Sequence, residues 1–326
     1  MKNENLIEVN HLTKVFASRG VMSKGQIKAV DDVSFSMPRE KPTILTLAGE
    51  SGSGKTTTAR LILGFIKPTS GKILYQGRDI WKMTKDEWVR YRKEVQAVFQ
   101  DPYGAFNPLH KVDRVLTIPI RKFKLANSEE EAADLISEAL GVVGLKTDEV
   151  LGKYPHQLSG GQRQRIMLAR AFLLKPKLIV ADEPVSMIDA SLRASILNVM
   201  LDLKSKFSIS FLYITHDLST ARYVSDNIIV MYLGSIMEMG PVDKVLVKPL
   251  HPYVKLLIDS VPVPDPERRW KNRIELPRIE ITSQSLQTRG CKFYPRCSQR
   301  MEKCSKERPD LANVEEDRWV ACHLYQ

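Results

Sequence analysis

Long hydrophobic runs are missing from this chain of 326 residues. The most extended, Lys177 to Ala181 and Asn227 to Leu233, fall far short of the roughly 18 apolar residues that cross a bilayer. Residues Met1 to Asn10 carry Glu4 and Glu8 and no apolar core, so a secretory leader is not expected and a cytosolic location is. Low-complexity tracts and internal repeats are also missing, which argues against a disordered or solenoid chain. Cysteine is scarce, with four residues, none before Cys291. Acidic residues are outnumbered, giving a net charge of +11. The basic residues are nevertheless scattered, through Arg19, Lys24, Lys72, Lys122, Arg163 and Arg268, with no aromatic-interleaved stripe. No nucleic-acid partner is therefore expected, and attraction to an anionic lipid surface accounts for the charge equally well.

Hydrophobic residues make up 43% and charged residues 27%, an ordinary globular balance with enough length for one large domain plus an appendage. Ile44 to Ala48 is a short apolar run that breaks into GESGSGKT, followed by Ala59, Leu61, Ile62 and Leu63 at helical spacing. That order is strand, glycine loop, helix. Lys85 to Lys175 is mostly helix-patterned and reads as an insertion. A strand then returns at Lys177 to Ala181, a helix follows over Ser191 to Lys204, and a buried strand over Ser208 to Thr215 ends at His216. Alternating strands and helices predict a parallel sheet with right-handed crossovers. Beyond Lys248 the prolines Pro249, Pro252, Pro262, Pro264 and Pro266 mark a linker into a cysteine-bearing tail.

Gly49, Gly54, Lys55 and Thr56 have the spacing of a phosphate loop, whose backbone N–H groups and helix start cradle polyphosphate. Lys55 supplies a point charge to the β- and γ-phosphates, and the Thr56 hydroxyl is placed for Mg²⁺. Asp182 and Glu183 end a predicted strand at the carboxyl edge of a parallel sheet, where ligands bind in such folds. Their expected roles are Mg²⁺ binding through water for Asp182 and general base for Glu183. The alternative is a pair of solvated carboxylates at a strand end. Leu158, Ser159, Gly160, Gly161 and Gln162 precede a helix predicted to begin near Gln162, and make a second anion-binding start. Two phosphate cradles with one ATP loop imply a two-fold dimer, in which each loop is closed by the partner's LSGGQ.

In this order the motifs resemble those of the ATP-binding-cassette (ABC) ATPases, over residues 5 to 245. GESGSGKT resembles the Walker A motif, implying that Gly49, Glu50, Ser51, Gly52, Ser53, Gly54, Lys55, Thr56 and Thr57 bind ATP. VFQDPYGAFNP resembles the Q-loop, LSGGQ the signature, LIVADE Walker B, SMID the D-loop and ITHD the switch region. The resemblance implies that Gln100 touches Mg²⁺ or the attacking water, that Asp189 bridges the dimer and that His216 contacts the γ-phosphate. Phe16 resembles the aromatic that stacks on adenine; a core position is the alternative. PREKP, Pro38 to Pro42, departs from the family's usual Gly-Glu turn, and Met187 and Ile188 are bulkier than its usual D-loop pair.

KPLHPYVKLLIDSVP, Lys248 to Pro262, and DPYGAFNP resemble segments of oligopeptide and dipeptide importer ATPases. That resemblance implies a second, sister ATPase chain, two transmembrane permease subunits, an extracytoplasmic solute-binding protein and a place on the cytoplasmic face of the membrane. It also puts Tyr103, Ala105 and Phe106 in the groove that receives a permease helix. Cys291, Cys297, Cys304 and Cys322 lack CxxC spacing, which tilts a four-thiolate site from zinc toward a [4Fe-4S] cluster. In some peptide-importer ATPases a similar arrangement holds such a cluster, so a structural [4Fe-4S] clip is expected, with Zn²⁺ or free thiols as alternatives. The expected fold is an α/β P-loop NTPase with a mixed β core at 1–95 and 176–247, a helical subdomain at 96–175 and a cysteine-containing extension at 248–326. The expected activity is ATP hydrolysis coupled to peptide uptake. Uptake of an oligosaccharide and a soluble non-transport ATPase are the other readings.

Overall fold

A computed structural model describes residues 4–19, 24–101, 104, 106–261 and 289–326. Tyr103, Ala105 and the prolines at 262, 264 and 266 lie outside the described residues. The strands are β1 (Asn5–Arg19), β2 (Lys24–Pro38), β3 (Ile44–Ala48), β4 (Ser70–Tyr75), β5 (Arg78–Asp79), β6 (Val95–Val98), β7 (Leu178–Asp182), β8 (Ser210–Thr215), β9 (Asn227–Tyr232), β10 (Ser235–Pro241), β11 (Ala312–Glu315) and β12 (Arg318–Val320). The helices are α1 (Lys55–Ile62), α2 (Lys85–Glu94), α3 (Asp113–Phe123), α4 (Glu129–Val142), α5 (Thr147–Val150), α6 (Gly160–Phe172), α7 (Ala190–Phe207), α8 (Leu218–Val224), α9 (Val242–Val247), α10 (Pro252–Asp259) and α11 (Glu302–Lys306).

One sheet has the order β11-β12-β10-β9-β3-β8-β7-β6, and a second has the order β2-β1-β4-β5. In the first, β9, β3, β8, β7 and β6 run parallel, as the alternating pattern predicts. β10, β12 and β11 are added antiparallel at its other end. Every residue of β3 is buried, because a parallel sheet is covered on both faces. The period-2 alternation of β7 divides the interior. Leu178 and Val180 pack with Ile7, Val33 and Leu61 toward the antiparallel sheet, whereas Ile179 and Ala181 pack with Leu116, Leu140 and Ile166 toward the helical insertion.

Local signals set the helix starts. Thr84 and Glu87 form a reciprocal capping box on α2, and the Ser128 hydroxyl accepts the Glu131 N–H ahead of three acidic residues in the first turn of α4. Ser159 and Gln162 form the same box on α6, which therefore begins at Gly160, two residues before the predicted start. The expected boundary between 95 and 96 falls inside β6, which pairs with β7. Nor does the extension stand apart. β12 pairs with β10 at Glu238 and Met239, so residues beyond 248 complete the core sheet.

Candidate functional site

The phosphate loop is drawn tight by backbone contacts that exclude side chains. At Gly54, φ is 103° and an added Cβ would lie 2.3 Å from the Ala29 carbonyl oxygen. At Gly49, φ is 142° and the same atom would lie 2.2 Å from the Met231 carbonyl oxygen. Only glycine fits both. The Lys55 ammonium turns back into this loop, donating to the Gly49 oxygen at 2.7 Å and the Glu50 oxygen at 2.9 Å. Burial pushes its pKa down, and the carboxylates of Glu183, Asp182 and Glu50 pull it back up. A buried cation held by carbonyls is suited to exchanging them for phosphate oxygens.

Opposite the loop, β7 delivers Asp182 and the turn after it delivers Glu183. The Thr56 hydroxyl donates to Asp182 Oδ1 at 3.2 Å. Burial raises the Asp182 pKa, and the neighbouring Glu183 charge adds to the rise. Glu183 sits at φ 47°, a strained conformation for a residue with a Cβ. Its amide donates to the Ile214 carbonyl at 2.9 Å, which fixes the turn to β8. Its carboxylate is held at both oxygens: Gln100 Nε2 donates to Oε2 at 2.9 Å, and His216 Nδ1 lies 3.0 Å from Oε1. Residues separated by more than a hundred positions thus meet at one carboxylate.

Glu183, Gln100 and His216 line a cleft of about 690 Å³ together with Gly54, Lys55, Thr56, Phe16, Ala29, Ser51, Gly52 and Thr57, and Asp182 lies just behind it. Phe16 is 40% exposed rather than core, with Lys14 Nζ 5.2 Å from its ring centre. Gly49 and Ser53 shape the loop from behind, and neither borders the cleft. The Glu50 side chain faces elsewhere, toward Arg296. Leu158 to Gln162 do not border the cleft either. Ser159 and Asp189 are exposed. The signature packs instead on the D-loop side, where a Cβ on Gly160 would lie 3.7 Å from the Met187 oxygen and one on Gly161 3.1 Å from Leu192.

The Thr56 hydroxyl, the Asp182 carboxylate and the Gln100 amide place oxygen donors beside the loop. An acid that burial drives toward its neutral form is one that a cation restores, and all-oxygen donors suit hard Mg²⁺.

In the extension, Cys291, Cys297, Cys304 and Cys322 line one shared pocket with His251 and His323. Burial raises the thiol pKa of Cys291 to about 11 and also raises those of Cys297 and Cys322. No group of three or more ligand-type side chains among the described residues has the arrangement of a metal site, so the expected [4Fe-4S] centre and its zinc alternative gain no support from the geometry. The donor set suits a four-thiolate centre; the spacing of its side chains does not form one.

Sequence reasoning missed Arg296 and Tyr253, which reach the phosphate loop from the extension. Glu50 was the available signal: a carboxylate inside an anion-binding loop needs a cationic partner.

The ABC transporter family model matches residues 30–186, and the oligopeptide/dipeptide transporter C-terminal region matches residues 237–304. The putative oligopeptide transport ATP-binding protein YkfD of Bacillus subtilis strain 168 is 40% identical, covering 100% of this chain and 97% of its own length. The di/tripeptide transport ATP-binding protein DppF of Pseudomonas aeruginosa is 39% identical over 98% of both chains. Among solved structures, a dimeric post-hydrolysis state of the ATP-binding cassette MJ0796 bound to ADP and Pi aligns with TM-score 0.62 and 26% identity, over 72% of this chain and 98% of that one. With its loop, carboxylates and signature in the places described, this chain belongs to the ABC transporter family, as an ATP-hydrolysing subunit that carries the oligopeptide/dipeptide transporter C-terminal region.

Proposed function

We propose that the chain drives import of di- or oligopeptides, hydrolysing ATP at a site shared by two cassettes. The observation that carries the catalytic part is the Glu183 carboxylate, suspended between Gln100 and His216 across the cleft from Lys55 and Thr56. Ser51, Gly52, Gly54, Lys55, Thr56, Thr57 and Phe16 bind the nucleotide, with Phe16 against adenine, while Gly49, Glu50 and Ser53 shape the loop that holds it. Thr56, Gln100 and Asp182 would hold Mg²⁺, which would supply neutralisation of phosphate charge. Glu183 takes a proton from water as the water oxygen attacks the γ-phosphorus, and the bond to the β–γ bridging oxygen breaks to leave ADP and phosphate. His216 and Gln100 hold the base and sense the γ-phosphate.

The signature, Leu158 to Gln162, which presents Ser159 at the surface, completes the site of a second cassette, and Asp189 lies at that seam. The second cassette is a sister chain in the assembly we propose. Assayed alone, two copies of this chain can stand in for the pair, so turnover per chain should rise with protein concentration; a rate independent of concentration would count against a shared site.

Two transmembrane permeases, fed by an extracytoplasmic solute-binding protein, complete the importer, with this chain on the cytoplasmic face. No helix among the described residues is long and apolar enough to cross a membrane. Phe65 and Phe99, stacked 6.2 Å apart beside Gln100 and both exposed, support docking of a permease helix there. Peptide cargo rests on the oligopeptide/dipeptide C-terminal region and on relatives such as YkfD and DppF. Cells lacking the chain should lose uptake of labelled di- or oligopeptides, and the intact chain but not Lys55→Ala should restore it. Retained peptide uptake with lost oligosaccharide uptake would overturn the cargo.

The four cysteines are proposed to hold a structural [4Fe-4S] centre on the chemistry of their donor set, four thiols being its usual ligands, and not on their spacing. Anaerobic purification with iron and acid-labile sulfide analysis tests this. About four of each per chain is the expected result, and zinc or no metal refutes it.

A further inference from the structure

The second residue of the phosphate loop is gripped from the far end of the chain. The Glu50 amide donates to the Tyr253 hydroxyl at 3.0 Å, and the Glu50 carboxylate takes two parallel bonds from Arg296, 2.8 Å from Nη1 and 2.9 Å from Nη2. Tyr253 is fully buried in α10, and the Arg296 side chain is 15% exposed. The guanidinium also lies 5.6 Å from the Tyr232 ring centre and 5.8 Å from that of Phe293. A forked bond to a carboxylate with an aromatic backing fixes orientation as well as distance. One loop residue is thus held at both its backbone and its side chain.

Arg296 is itself placed by the cysteine pocket. It ends a short turn, Tyr294 to Arg296, between Cys291 and Cys297. The Cys291 amide donates to the Cys304 carbonyl at 2.8 Å, and the Cys297 amide donates to the Tyr294 carbonyl at 3.2 Å. A shift of either cysteine therefore moves the guanidinium.

We infer that Arg296 and Tyr253 are positioning residues of the ATP site, which hold the phosphate loop open for nucleotide and make ATP affinity depend on the folded state of the C-terminal extension. Neither residue borders the cleft, so both act through Glu50. The inference rests on the ATP-site reading above, and it adds that the tail is part of that site's architecture. Arg296 is bonded to Glu50 and Tyr232 and not to Glu183, Gln100 or His216, so loss of the brace weakens binding and spares the chemical step.

The test uses the full chain, with a fluorescent ATP analogue for Kd and steady-state hydrolysis for KM and kcat. Arg296→Gln should raise Kd and KM roughly three- to tenfold while kcat stays within about twofold. Arg296→Lys, which keeps the charge and loses the fork, should fall between. Arg308→Gln is the control. It removes one of two cations from Asp31, where Arg308 Nη1 lies 3.1 Å from the carboxylate, while Lys292 at 2.8 Å keeps the extension docked and the Glu50 brace is untouched, so Kd should be unchanged. Should Arg296→Gln fail to fold, Tyr253→Phe removes only the hydroxyl and should raise Kd about two- to threefold. The inference is overturned if Arg296→Gln, or Tyr253→Phe in its place, binds ATP as the native chain does, or if Arg308→Gln weakens binding equally. A native chain that binds no ATP would instead sink the ATP-site reading.

Discussion

Glu183→Gln should lower ATP turnover by about 10²- to 10⁴-fold while leaving ATP binding intact. The substitution is nearly isosteric, so the two contacts to Gln100 and His216 have partners of similar geometry, and the strained φ of 47° is no worse for glutamine than for glutamate. What disappears is the ability to accept a proton. The carboxylate is well placed to do so, because it is only 17% exposed and faces the cleft rather than bulk water. Removing its charge also relieves repulsion with the phosphates, so affinity should hold or rise. A pair of cassettes closed on ATP then has no chemical exit, and the variant should elute as a dimer in MgATP under conditions where the native chain is monomeric. Hydrolysis within threefold of the native rate would remove Glu183 from the role of base, and a monomeric ATP-loaded variant would argue against closure by the signature.

The phosphate loop and its flanking elements were legible because their signal is local. A five-residue apolar run, a glycine-rich turn and a helix start follow one another in sequence, and β3 and α1 stand at those positions. The meeting of Gln100, Glu183 and His216 was legible only through family resemblance, since no spacing rule links residues that a parallel sheet brings together from three connections. The N-terminal hairpin left no readable trace. Residues 5–19 and 24–38 alternate weakly, with Asp31 and Asp32 interrupting an apolar face that includes Val30 and Val33.

The tail was the least legible part, and for a physical reason. Its composition, rich in proline and charge, reads as an appendage. It is docked by ion pairs whose partners lie some 240 to 280 positions upstream, as with Arg296 on Glu50 and Lys292 on Asp31 at 2.8 Å. Charged residues of that kind read as solvated surface until the fold supplies the partner.

A more deeply buried ion pair of the tail, between Arg318 and Glu238, carries the largest expected effect on stability. Arg318 and Glu238 are 1% and 0% exposed, and Arg318 Nη2 lies 2.6 Å from Glu238 Oε1. The remaining Glu238 oxygen accepts the amides of His251 at 2.8 Å and Leu250 at 3.1 Å, and Arg318 also donates to the Lys248 carbonyl. Arg318→Met leaves the carboxylate buried with its amides but without its counter-charge, and should cost about 3–5 kcal/mol of unfolding free energy. The pH dependence separates this from simple loss of packing. Burial already lifts the Glu238 pKa above its ordinary value of 4.5, against the pull of the His251 amide and Arg318. A glutamate raised in the folded state destabilises progressively as pH climbs from 4.5 through the folded value, because the folded form must give up a proton it holds more tightly. Without Arg318 that window extends further upward, so the deficit of the variant should be greatest at neutral pH and should shrink as pH falls toward 5. Adding Glu238→Gln, which removes the charge and keeps an oxygen for the amides, should recover most of the loss at neutral pH. Urea unfolding at pH 5 and 7.5 measures both effects. A deficit that stays constant across that range would assign the loss to packing of the Arg318 side chain instead of the stranded charge.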